Sequence, residues 1–304
     1  MELDGVYLLG RAKAAAVLAA TSPLVALAED HCFPEPDWAE KLVAAFADGD
    51  HAAVGPAVRV GNSGEGLGSA THYMHWGAWT EPRGGKAPMI APHNGAYRRS
   101  VLLERADRLT ALFATEQFLQ AELLDNGHTL FVEPAAVVSH YGISRFVPWV
   151  GLGFWGGRLF GANRAAHEGW TAQQRWTRVL TAPIVPFVRF IRTVACMRSL
   201  GRTDEIVRAA PIQFLGLLIH ACGEAAGYAF GTGTAERRYS RYELFRHQDL
   251  NRRDLEKMRG VVPSQRVSRA KGSTPEITAV TARHDPVAGS DKTVSDARHA
   301  RRAG

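Results

Sequence analysis

The chain has 304 residues, room for one or two domains around a sizeable buried core. Its 46% hydrophobic and 22% charged content is that of a folded globular protein and excludes a wholly disordered or fibrous chain. The net charge of +6 raises nucleic-acid binding, but the basic excess sits beside apolar runs between Arg145 and Arg208 and in the tail after Arg237. That placement suits an anionic membrane surface, no nucleic-acid motif accompanies it, and no nucleic-acid partner is expected. Cys32, Cys196 and Cys222 form neither a CxxC pair nor a disulfide framework, which points to a reducing compartment. Glu2 and Asp4 stand where a signal peptide carries its basic region, so the part of the chain ahead of the apolar runs is expected to face the cytoplasm.

In chain order, the Ala-rich segment 11–20 reads as a helix broken by Thr21-Ser22-Pro23. Leu24 to Ala28 reads as a short buried strand, followed by Glu29-Asp30-His31 and a Pro-rich turn from Phe33 to Pro36. Asp37 is placed to cap a helix carrying Trp38, Leu42, Val43 and Phe46 at helical spacing. Residues 52–60 read as a strand running into the Gly-rich loop 61–68, and the aromatic stretch 69–80 stays unassigned. A Gly/Pro loop spans 81–88, a helix starts near Ser100, and Phe118 to Leu124 is helical. Leu130 to Val138 reads as an edge strand because it contains Pro134, and it closes at His140. Strands alternating with helices give an α/β class.

An acidic pair at the C-terminal end of a buried strand lies where open α/β sheets bind ligands. Hard carboxylate oxygens there suit Mg²⁺ or Mn²⁺ beside a diphosphate. Alone, such a pair is more often a turn or a helix cap. His72 and His75 stand at i,i+3 without a third ligand, which favours a partly buried polar-aromatic stretch over a metal site.

Three segments together resemble family 2 glycosyltransferases, which have a GT-A fold. LVALAEDHCFPEPDWAEKL resembles the family's acidic-motif region, APHNGAYRRSVLLE the loop lining the donor and acceptor cleft, and TEQFLQAELLDNGHTLFVEPAAVVSH the block running from an acidic motif to a strand-end histidine. The resemblance covers residues 10–141. It implies a GT-A-like mixed sheet with flanking helices over 1–141, sugar transfer from a nucleoside-diphosphate sugar to a lipid-linked or cell-envelope glycan, and a Mg²⁺ or Mn²⁺ cofactor. Carried over, Asp30 and His140 are implied metal ligands; Glu29, Asn94 and Arg98 line the donor site; and Glu116 is the implied general base. The Asp that usually follows in that motif is Gln117 here, and an amide accepts no proton. The family's usual strand–helix–strand unit for the nucleotide base is missing ahead of helix 11–20. An unpaired sheet edge is therefore expected, along with a second possibility, a non-catalytic membrane-bound remnant or assembly partner.

From Phe146 the chain changes character. Apolar stretches at 146–161, 179–197 and 209–230 make 142–232 a membrane-associated helical region. Gly153, Gly157 and Gly161 have the small-xxx-small spacing that lets helices approach closely. Pro211 to Gly231 has Gln213, His220 and Glu224 on one face, which fits an interfacial helix, or one packed by that face, better than a lone span. This stretch also resembles the hydrophobic segment following the catalytic domain in some bacterial family members. AQQRW at 172–176 lacks the first Gln of the family's processive motif and is read as chance. Residues 233–304 form a charged basic tail with a helix from Tyr239 to Met258 and expected disorder from about 262.

Overall fold

The computed structural model describes residues 8–64 and 66–261, so the expected disorder beyond 262 lies outside the described residues. Helix α1 (Leu9–Ala19) and strand β1 (Leu24–Ala26) form as the sequence predicts. Cys32–Pro34, expected as a turn, is instead strand β2, because it finds an antiparallel partner in the last residues of β6 (Leu130–His140). Helix α2 (Trp38–Ala47) starts after Asp37, whose carboxylate pairs with Lys41 at 2.6 Å rather than capping the helix.

Strand β3 (Ala53–Val60) leads to α3 (Leu67–Thr80), which is the unassigned aromatic stretch. Strand β4 (Gly85–Ala87) forms within the expected loop, and β5 (Ala96–Arg98) runs into α4 (Arg99–Leu103). Helices α5 (Leu109–Ala114) and α6 (Glu116–Asp125) complete this half. The sheet order is β1-β5-β3-β6-β2, with β4 also on β6. Strand β1 bonds only to β5 among the described residues.

Strand β6 is not at the edge. It lies parallel to β3 on one side, while β4 bonds to its start at Leu130–Val132 and β2 to its end at Val138–His140. Pro134 falls in the gap between those two partners. On the β3 side the register slips after Pro56, so each proline's missing N–H coincides with a break in the ladder. Alternating side chains of β3 and β6 feed two cores: Ala53, Leu130 and Val132 pack with Val17, Tyr97 and Phe113, while Val54, Val58 and Val138 pack with Trp38, Phe46 and Trp76. The mixed sheet therefore has helices on both faces, as expected.

The helical half comprises α7 (Phe146–His167), α8 (Ala172–Thr181), α9 (Val185–Ser199) and α10 (Thr203–Phe230). A 3₁₀ turn at Ala182–Ile184 joins α8 to α9. Ala172–Ser199 and Thr203–Phe230 are each long and apolar enough to cross a membrane. Helices α7 and α10 touch backbone to backbone. A Cβ on Gly157 would lie 2.2 Å from the His220 carbonyl oxygen, and one on Gly223 2.2 Å from that of Phe154. The polar face of α10 turns inward: Gln213 donates to the Ala70 carbonyl at 2.8 Å, and Glu224 accepts from Arg189 at 2.7 Å.

The single helix expected at 239–258 is two, α11 (Ala235–Leu244) and α12 (Arg252–Val261), separated by a 3₁₀ turn at Arg246–Asp249. Asp254 ties α12 to the sheet half by accepting from the Ser63 amide at 2.6 Å and the Asn62 side chain at 3.0 Å.

Candidate functional site

Glu29 follows β1, and His140 ends β6. The Cys32↔His140 register of β2 against β6 sets a thiol beside that imidazole. Cys32 donates to Glu29 Oε2 at 3.3 Å, and Asn94 donates its amide to the same oxygen at 2.9 Å. His31 Nε2 and His140 Nε2 lie 3.7 and 4.0 Å from it. Burial pushes the Glu29 carboxyl up, but the imidazoles of His31 and His93 and the Asn94 amide outweigh it and hold the group below the usual carboxylate range. Burial, above all, keeps the His140 imidazole well below its usual range, hence neutral near pH 7. Asn94 is fully buried and acts on Glu29, not on the cavity.

Asp30 takes a different course from its expected role as principal ligand. Its carboxylate is 61% exposed and accepts from His31 Nδ1 at 2.9 Å, so it orients His31 and lies outside the cluster around Glu29. Arg98 is not brought to the site at all. Its guanidinium donates to the carbonyls of His51, Phe46 and Gly49, closing the C-terminal end of α2, where unpaired carbonyls attract a cation. The expected donor-site role for Arg98 is corrected on that ground.

Glu116 is fully buried at the start of α6. One of its oxygens accepts from the Tyr97 hydroxyl at 2.6 Å; the other accepts from Lys13 Nζ at 3.2 Å and the His93 amide at 2.9 Å. Burial raises its pKa, yet Lys13, His93 and Tyr97 outweigh that and hold it at about 2. A carboxylate so fully engaged, and absent from the cavity wall, does not reach an acceptor hydroxyl, so the general-base role expected of Glu116 does not match its position. Lys13 has only donors to offer, and it lies between Glu116 Oε2 and His93 Nδ1. His93 Nδ1 itself lies 3.1 Å from the same Glu116 oxygen, so lysine and imidazole converge on Oε2. His93 has a φ of 69°, the one positive value outside glycine among the described residues, and it lines the cavity.

That cavity, of about 240 Å³, opens between the sheet and the helices. Glu29, His93, Gln117 and His140 stand on one side; Trp149, Leu159 and Phe160 of α7 and Ile219 of α10 form an apolar wall. The segment α11 and the turn after it add Glu236, Glu243 and Arg246. Arg246 is buried, and it donates through one nitrogen to Glu243 at 2.6 Å, 3.2 Å from His31 Nε2. Its Nε has no partner among the described residues. Burial raises the Glu236 carboxyl. None of these three residues, nor Cys32, Lys13 and His93, stood out in the sequence. The available signal was the apolar-polar periodicity of 235–246, which the high charge of the tail obscured.

A strand-end carboxylate and histidine thus line a cavity at the sheet's carboxyl end, where open α/β sheets bind their ligands. Residues 6–105 match the family model described as Glycosyl transferase family 2, consistent with a family 2 glycosyltransferase domain in this part of the chain. Glu29 and Asn94 fall inside the match; Glu116 and His140 lie beyond it. No curated protein matches the chain.

Proposed function

We propose that the chain transfers a sugar from a nucleoside-diphosphate donor to a lipid-linked or cell-envelope glycan acceptor at a membrane surface. The observation that carries this reading is the cavity itself: Glu29 of the matched segment and His140 beyond it face an apolar wall contributed by α7 and α10. A volume of about 240 Å³ falls below the roughly 300–1,000 Å³ of sites that enclose a whole ligand. The cavity suits the reacting end of the donor, the sugar and diphosphate, beside the head of an amphiphilic acceptor. The guanidinium of Arg246, with its unpartnered Nε, and the ring of His93 are the groups on the cavity wall suited to anionic diphosphate oxygens.

Glu236 is the group we assign to the acceptor's proton. Glu29 and Glu243 also line the cavity but are engaged with Asn94, Cys32 and Arg246. Burial raises Glu236, making it a stronger base than an exposed carboxylate, and its rate contribution increases as pH rises through that raised value. Glu116 then works at one remove, holding Lys13 and His93 in place.

Residues able to hold a metal ion are present: Glu29 with Cys32 and His140, and Glu29 with His31 and Glu243. They do not fit the implied Mg²⁺ or Mn²⁺ well. A hard ion prefers about six oxygens, with waters making up the number, and Cys32 and His140 bring sulfur and nitrogen while Asp30 turns away. No step here is routed through Mg²⁺ or Mn²⁺.

The amide of Gln117 on the cavity wall, where the family places an acid, favours a second reading as a non-catalytic membrane-bound assembly partner. One assay separates the two. The full chain in vesicles is offered labelled nucleoside-diphosphate sugars, and donor binding and transfer are both measured. We expect transfer, with Glu236→Gln lowering kcat by about 10²–10⁴ while donor affinity changes little. Binding of no donor sinks the enzyme reading; full transfer by Glu236→Gln removes only the assignment of the base.

A further inference from the structure

The mismatch between the donor atoms around Glu29 and a hard ion has a positive counterpart. Glu29 Oε2, Cys32 Sγ and one His140 ring nitrogen all lie within 4.8 Å of one another. The thiol sits 3.3 Å from the carboxylate oxygen, and the imidazole Nε2 4.0 Å from it. Ligands at about 2.0–2.3 Å from a tetrahedral ion stand about 3.3–3.8 Å apart, so small side-chain shifts close the set. One carboxylate, one thiol and one imidazole make a borderline-soft donor set, the chemistry of Zn²⁺.

Two further observations point to an ion at this place. His140 is 7% exposed, lines the cavity, and turns its Nε2 toward Glu29 at 4.0 Å. Three carboxylates, those of Glu29, Glu236 and Glu243, also line the pocket, against the one guanidinium of Arg246 and the imidazoles of His75, His93, His140 and His220. That guanidinium lies on the Glu243 and His31 side, 2.6 Å from the one and 3.2 Å from the other. It thereby takes the place of an ion in the alternative group of Glu29, His31 and Glu243, and leaves the Cys32 side open.

We propose that Glu29, Cys32 and His140 form a Zn²⁺ site, with three protein ligands and a fourth position turned to the cavity. On binding, a Zn–S bond replaces the Cys32 S–H bond, and the proton leaves to the buffer. Both Glu29 and His140 line the cavity, so the open position meets an oxygen ligand from that side. This inference deepens the transferase reading but is tested without donor or acceptor, so each can fail alone.

The test titrates the full chain, in detergent and with Cys196 and Cys222 changed to Ser, first with Zn²⁺ and then with Co²⁺ as a spectroscopic stand-in. One equivalent of Zn²⁺ is expected to bind with release of a proton and to slow alkylation of Cys32 at least tenfold. Co²⁺ is expected to give a thiolate-to-metal charge-transfer band that Cys32→Ser abolishes, while His140→Asn weakens binding at least tenfold. Glu243→Gln, outside the proposed set, should change affinity less than about threefold. Circular dichroism identifies any variant that fails to fold, and alkylation of the otherwise native Cys32 protein keeps the test independent of the Cys32 and His140 variants. Absence of the charge-transfer band, or unchanged alkylation of Cys32 under saturating Zn²⁺, overturns the proposal.

Discussion

Glu116→Gln asks whether this carboxylate is chemical or structural. The substitution keeps the shape of the side chain, and the amide oxygen still serves as acceptor for the Tyr97 hydroxyl, but Lys13 loses its charged partner. Two routes give the cost. Holding Glu116 at about 2 instead of 4.5 amounts to about 3 kcal/mol of preference for the ionised form, at 1.36 kcal/mol per pK unit. Breaking a buried ion pair typically costs about 3–5 kcal/mol, and Lys13, 14% exposed, recovers a little from water. Both indicate about 3 kcal/mol, hence a fall in Tm of about 6–12 °C for a domain of this size. The pH dependence has a definite sign. A carboxyl lowered in the fold gives its full contribution above its ordinary value of 4.5 and loses it as pH falls toward about 2. The wild-type advantage over the Gln variant should therefore shrink across that window. The assay is thermal unfolding in detergent from pH 7 down to pH 3, paired with transfer rate per folded molecule. A Tm within about 2 °C of wild type, joined to a hundredfold loss of kcat, refutes the structural assignment and restores Glu116 as the base.

The glycine contact between α7 and α10 and the apolar face of α8–α9 give two more expected outcomes. Gly157→Val drives a side chain into the His220 carbonyl, since even its Cβ would lie at 2.2 Å. Overpacking of this kind costs about 1–3 kcal/mol or more, so unfolding temperature should fall and the cavity between the helices and the sheet should loosen. An unchanged Tm and unchanged donor affinity would show that the helices do not pack this way. Trp176, Leu180, Ile184, Phe187 and Ile191 are all more than half exposed and recur at helical spacing along α8–α9, flanked by exposed Arg178, Arg192 and Arg198. Burying each in a lipid interface is worth about 1.5–3 kcal/mol, so Ile184→Asp with Phe187→Asp should reduce flotation with anionic vesicles at least about a hundredfold. Wild-type flotation by the double variant would place the membrane contact elsewhere.

How far the sequence revealed the site depended on how local each signal was. Glu29 and Asn94 could be singled out because a strand end and a loop motif lie in contiguous residues, although Asn94 meets Glu29 rather than the cavity. The Pro134 argument for an edge strand failed because edge exclusion rests on the ladder hydrogen bond a proline cannot donate, and here β4 and β2 leave a gap at that residue. Arg98 went astray for a similar reason. It sits beside a cleft motif in sequence, but a strand reverses side-chain direction at each residue, and its guanidinium meets the carbonyls at the end of α2. Cys32 was set aside as an isolated thiol. Only the β2–β6 register, a pairing between residues far apart in sequence, sets it beside His140.

The C-terminal segment changes what the family 2 domain means in this chain. Residues 6–105 supply Glu29 and Asn94, but Glu236, Glu243 and Arg246 reach the same cavity from beyond α10. Their path there runs over the crossing of α7 and α10, close enough to need glycine on both helices. Arg246 then ends in a buried position between Glu243 and His31, a residue only two places from Glu29. A buried guanidinium with an unpartnered Nε is costly to keep unless something anionic meets it. Shortening the chain before α11 should therefore do more than remove a tail: it takes away a cation and two carboxylates of the site while leaving the matched domain intact in sequence.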